Sequence, residues 1–224
     1  MDDSSLSNFL ANIEKVDQDP LMRESDRGCV LSRSADLENK LQTLLSDWFS
    51  ETGDITKQQT KRLFDFTGPV GTFSAKNLLS RSMGLISNEL YHDLDELRNL
   101  RNLAAHTSEE FSLSSDEARA SLARMYYEHR KSSTIKRYSL DAKKGPNTPV
   151  RERSPNETVM KGHGYIRFDK SNFIITAKVL EYEIAKASLL AKTLSHTVKE
   201  VQVRMRSVLS EKASVPLDRS TEEQ

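Results

Sequence analysis

The chain lacks most of the usual hardware of a stapled, metal-bound or membrane-spanning protein. It has one cysteine, Cys29, in 224 residues. No disulfide can form within the chain, and no zinc site of several cysteines is possible. Eight glycines and six prolines are too few for an all-β chain with many turns. Lys+Arg and Asp+Glu balance at 33 each, so the molecule as a whole is no general polyanion binder. No uncharged apolar run approaches the roughly 18 residues that span a membrane. The N-terminus, MDDSSLSNFL, is acidic and lacks the layout of a signal peptide. A cytoplasmic protein without membrane contact is expected. HExxH, CxxC and a Ser/His/Asp set are absent as well. His92, Asp93, Asp95 and Glu96 stand close in sequence, but on a helix they point in several directions. They read as a solvated face, so no metal and no cofactor is expected.

What is present reads as helix. Hydrophobic residues make up 36% and charged residues 29%, the balance of a well-solvated all-α protein. Leu6, Phe9, Leu10, Ile13 and Val16 recur at helical spacing, which predicts an amphipathic arm within residues 1–20 that docks on the domain or on a second copy. A longer helix is capped at Ser25 or Asp26, with Val30, Leu37, Leu41, Leu44, Leu45, Trp48 and Phe49 as its apolar positions. A short helix from about Lys57 to Phe66 follows. Gly68, Pro69 and Gly71 form a turn with special backbone needs, but no Gly-Lys-Ser/Thr follows, which rejects a nucleotide P-loop. Gly84 is a predicted helix C-cap. Ser114 and Glu117 form a predicted capping box for a helix burying Ala118, Leu122, Met125, Tyr126 and His129. Together residues 24–130 predict a bundle of about five helices.

The last third changes character. Between Arg130 and Arg167, ten Lys/Arg stand against three Asp/Glu, with three prolines and three glycines. Residues 131–167 read as a basic linker. Then Phe173, Ala177, Leu180, Ile184, Ala187, Ala191, Leu194, Val198, Val201, Met205 and Val208 alternate in steps of four and three. That is a heptad seam, on a helix of about 55 Å within residues 168–213. Part of it can complete the bundle, and the rest is long enough to pair with a second copy, so a homodimer is expected. Residues 214–224 read as a disordered tail.

The stretch from Ser87 to His106 organises the whole. Leu90, Leu94, Leu97 and Ala104 share one stripe, and Arg101 falls inside it. A core-facing arginine needs a carboxylate, because a lone buried charge is very costly. Glu24, Asp26, Asp36 and Glu38 cluster near the start of the capped helix, and Glu24 and Asp26 are the first ion-pair candidates. The alternative reading is an anion site built from Arg101, Asn102 and His106.

Two resemblances bear on that choice. Arg101-Asn102-Leu103-Ala104-Ala105-His106 resembles the motif of the HEPN superfamily. That likeness implies metal-independent RNA cleavage, with His106 as acid/base, Arg101 steadying the phosphorane and Asn102 in support. On a continuous helix five residues separate Arg101 from His106 by about 140°, so they converge only if the helix ends near Ala104 or if two copies pool residues across a dimer axis. A second likeness rests on four blocks in register: ESDRG at 24–28, GPVGTFSAK at 68–76, MGLI at 83–86 and DLDELRNLRNLAAH at 93–106. In order and spacing they resemble the mannitol operon repressor family. This implies an all-helical cytoplasmic regulator of transcription with no DNA-reading module of its own, acting through a partner. The sequence agrees in showing no helix-turn-helix, zinc finger or basic recognition helix. Three functions follow: a dimeric regulatory interaction module, an RNA-cleaving enzyme, or a scaffold that binds a protein through its long helix.

Overall fold

The computed structural model describes residues 3–53, 55–108, 110–127 and 170–213, with backbone alone for 3–6 and 208–213. The predicted linker, the tail and His129 lie outside the described residues. Seven α-helices are present there and no strand: α1 (Asp3–Glu14), α2 (Asp26–Thr52), α3 (Lys57–Phe64), α4 (Phe73–Ser82), α5 (Asn88–His106), α6 (Asp116–Ala123) and α7 (Lys170–Ala213). The all-α expectation is correct, and α2 to α6 are the five helices of the predicted bundle.

Each boundary has a local cause. Ser25 caps α2 through the Gly28 N–H at 3.0 Å. Thr56 and Gln59 close a capping box on α3. Thr72 caps α4 and Ser87 caps α5. The box expected at Ser114 is not the cap of α6; the adjacent Ser115 accepts from the Ala118 N–H instead. Helix α4 ends in a Schellman motif. Gly84 takes φ +70°, its N–H bonds Arg81 O, and the Leu85 N–H bonds Ser80 O.

Helix α2 is the central element. Its buried leucines, Leu37, Leu41, Leu44 and Leu45, face α5 on one side and α7 on the other. Helices α2 and α7 run parallel. Ion pairs climb both in the same order: Lys170–Asp26, Lys40–Glu181, Lys192–Asp47 and Lys199–Glu51, at 3.3, 3.0, 3.5 and 3.0 Å. The predicted arm docks in cis, where Phe9 of α1 stacks on Tyr182 of α7 with ring centroids 4.2 Å apart. Helix α7 spans about 66 Å at the usual rise per residue, against about 40 Å for α2. It therefore outruns its partner at the C-terminal end.

Candidate functional site

Helix α5 carries the polar residues singled out above. Its buried positions are Leu90, Asp93, Leu94, Glu96, Leu97, Leu100 and Ala104. Leu100 occupies the core position expected of Arg101. Arg101 lies one residue further round, on the flank, and its side chain is 38% exposed. Its partner is Glu38 at 3.4 Å, not Glu24 or Asp26. The long stem covers the edge of the core while the guanidinium stays near water.

Glu38 is already engaged by Lys76, whose Nζ sits 2.8 Å from Glu38 Oε1 and whose side chain is nearly fully buried. Lys76 is thus the cation that locks α4 to α2, and Arg101 adds a second, weaker contact. We expect Arg101→Ala to lose no more than about 1 kcal/mol, as exposed pairs do. Thermal unfolding of Arg101→Ala beside Lys76→Ala checks this; a larger loss for Arg101→Ala would reverse the assignment.

Asn102 and His106 are both exposed, and α5 continues unbroken to His106. Within one chain the helix holds Arg101 and His106 about 140° apart. One chain therefore does not assemble the RNA-cleaving set.

The acidic residues read as a solvated face behave otherwise. Asp93 is fully buried and accepts the backbone N–H groups of Tyr126 and Tyr127 at 2.6 and 2.8 Å. Burial pushes its carboxyl above the ordinary aspartate pKa, despite those two N–H groups and the nearby His92. Glu96, also buried, takes a two-pronged bond from Arg124 at 2.8 Å and accepts from Ser121 Oγ at 3.0 Å. Burial works against its charge, but Arg124, Ser121 and the charge on His92 outweigh that and lower its pKa. Only His92 and Asp95 stay on the outer face. Among the described residues no three or more His, Cys, Asp or Glu groups converge as a metal site would require. Asp93 had a sequence signal: Leu90, Asp93, Leu97, Leu100 and Ala104 step by three and four, which puts a carboxylate at a core position.

The blocks that carry the family resemblance supply joints between helices. In ESDRG, Ser25 caps α2, and Asp26 accepts from the Leu113 N–H at 2.9 Å. Arg27 Nη2 donates to Thr107 O at 2.7 Å, closing the C-terminus of α5. Glu24 takes part through its backbone carbonyl, which accepts from Lys170. In GPVG, a Cβ at Gly68 or Gly71 would collide with the carbonyl oxygens of Arg62 and Asp65. The turn needs both glycines for close backbone approach, not for a phosphate. Cys29 is fully buried, and burial pushes its thiol up to about 11, which makes it unreactive.

The remaining surface of interest is the seam of α7. Phe173, Ala177, Leu180, Ile184, Ala187 and Ala191 are buried against the bundle. Beyond them Leu194, Val201 and Met205 are 55%, 50% and 58% exposed, whereas Val198 is half-buried and Ser195, next to Leu194, is buried. The heptad pattern continues along α7, and α2 stays beside it as far as the Lys199–Glu51 pair before ending at Thr52. A cleft of about 670 Å³ lies beside it, between α1 and α7. Its lysines are already paired: Lys40 with Glu181, Lys178 with Asp19 and Lys192 with Asp47. No described helix is long and apolar enough to cross a membrane.

No curated protein matches the chain. A solved structure, the X-ray structure of the MtlR–HPr complex from Escherichia coli, is similar at 15% identity and a TM-score of 0.42. That likeness covers 88% of this chain and 98% of the other. The family model described as Mannitol repressor matches residues 13–150, taking in all four sequence blocks. With more than half its length inside that match, the chain belongs to the mannitol repressor family.

Proposed function

We propose that this chain is a cytoplasmic regulatory module that acts in transcription through protein contacts and dimerises through the C-terminal half of α7. The carrying observation is the seam itself. Six seam residues find a partner inside the chain, and in the same register Leu194, Val201 and Met205 face outward, with Val198 half-buried between them. An apolar stripe at three-and-four spacing on a projecting helix is the pattern that a second helix covers. The polar residues of α5 support a non-enzymatic reading. Arg101, Asp93 and Glu96 are taken up in joints between helices, which leaves Asn102 and His106 without a partner set for chemistry.

Light scattering on the full chain tests the dimer. The wild type is expected at twice the chain mass. The triple variant Leu194→Glu, Val201→Glu, Met205→Glu is expected at the chain mass, with its circular dichroism and melting temperature close to wild type. These positions contribute little to the bundle core, so the separation is clean. A wild type that remains monomeric at high concentration sinks the proposal.

A further inference from the structure

A second surface, independent of the α7 seam, lies on the turn between α3 and α4. Phe66 is 93% exposed there, the most exposed large hydrophobic side chain among the described residues. The turn that carries it is tightly built. Phe64 before it and Val70 after it are both buried. Gly68 N donates to Asp65 O at 2.7 Å, Val70 N to Leu63 O at 2.9 Å, and Gly71 N to Gly68 O at 3.0 Å. With both flanks anchored and the glycines in close backbone contact, the segment cannot rotate Phe66 inward. The fold forgoes the stabilisation that burying a phenylalanine contributes.

Helix α3, which leads directly into this turn, is basic. Lys57, Lys61 and Arg62 of α3 are exposed, and no ion pair among the described residues engages them. The exposed carboxylate next to Phe66 in the chain is Asp65. Most other lysines and arginines of the described bundle are paired, which makes this cluster unusual. We propose that Phe66 with Lys57, Lys61 and Arg62 is a docking site for a protein partner that offers an apolar pocket rimmed by Asp and Glu. A rigidly presented aromatic with basic neighbours is the composition of an interface anchor, and the fixed turn lowers the ordering cost of binding. Single-stranded nucleic acid fits less well. Stacking along a strand uses successive aromatics, whereas no other aromatic is among the strongly exposed hydrophobics, and Asp65 beside Phe66 repels phosphate.

The test pans a displayed library of random peptides on the full chain, with Phe66→Ser and the double variant Lys61→Glu, Arg62→Glu as counter-targets. Peptides that set Asp or Glu around an apolar residue should be enriched on the wild type alone. Synthetic versions, measured by fluorescence anisotropy, should bind Phe66→Ser at least about tenfold more weakly, as an interface anchor requires. Their affinity for the wild type should fall as salt rises. The melting temperature of Phe66→Ser should match the wild type. Equal binding to the variants, or no enrichment over them, overturns the proposal. So does tight binding of oligothymidylate through the same residues, Phe66-dependent self-association in light scattering, or a marked loss of stability in Phe66→Ser.

Discussion

Replacing Asp19 with alanine should cost roughly 3–5 kcal/mol of folding stability, the usual effect of stranding buried charges. Asp19 is the shared anion of a buried triad. Arg33 Nη2 lies 2.5 Å and Lys178 Nζ 2.9 Å from Asp19 Oδ2, and all three side chains are largely out of water. The triad joins three parts of the chain: the turn before Pro20, helix α2 and helix α7. Arg33 Nε already lacks a hydrogen-bond partner among the described residues. Removing the carboxylate would leave the two cations facing each other with only the distant, exposed Asp36, 3.8 Å from Arg33 Nη1, in compensation. For a chain of this size the melting temperature should drop by roughly ten degrees. Swapping all three for apolar residues of similar volume should recover most of the loss, because the cost comes from the stranded charges. A single Asp19→Ala that melts with the wild type would show the triad to be solvated.

The pH dependence of this site has a definite sign. Burial raises the Asp19 carboxyl, but the Lys178 hydrogen bond, the Leu21 N–H and the charges of Arg33 and Lys178 together hold it below the ordinary aspartate range. A lowered folded pKa means stability that is present above the unfolded pKa and lost as pH falls through the folded one. The lead of wild type over Asp19→Asn should therefore be full at neutral pH and shrink once pH drops below about 4. Urea denaturation at several pH values measures it.

Asp93→Ala is the second large effect expected, at roughly 2–5 kcal/mol. It removes the carboxylate that accepts from the Tyr126 and Tyr127 N–H groups, each lost hydrogen bond costing about 1–3 kcal/mol. Asn should recover part of this. Its single amide oxygen can accept from one N–H, while its NH2 faces the other donor. Here the pH dependence leans the opposite way. Burial raises the folded pKa of Asp93, so its titration stabilises the fold below the unfolded pKa and that contribution is lost as pH rises through the folded one. The lead of wild type over Asp93→Asn should be largest in acid and narrow toward neutrality. If both aspartates gave profiles of the same slope, the burial or the pairing of one of them would be wrong.

The chain by itself determined whatever depends on near neighbours. Three-and-four spacing marks α2, α5 and α7, and the caps at Ser25, Ser87 and Gly84 follow from the special backbone of helix ends. Four short blocks in register were enough for the family resemblance. Their residues serve the joints of the bundle, where a change of type breaks a specific contact. Which groups meet across helices was left to the tertiary structure. Periodicity ranks the faces of one helix but says nothing about what packs against each. Four carboxylates near the start of α2 were all candidates for Arg101, and only the crossing of α2, α4 and α5 brings Glu38 to both Lys76 and Arg101. Asp93 and Glu96 look solvated in a polar stretch until the 121–127 segment brings its N–H groups, a hydroxyl and Arg124 onto them. The exposure of Phe66 is equally invisible in sequence, since an aromatic between Phe64 and Val70 reads as core. It faces outward because its two neighbours take the inward places and the glycine turn fixes the backbone between them.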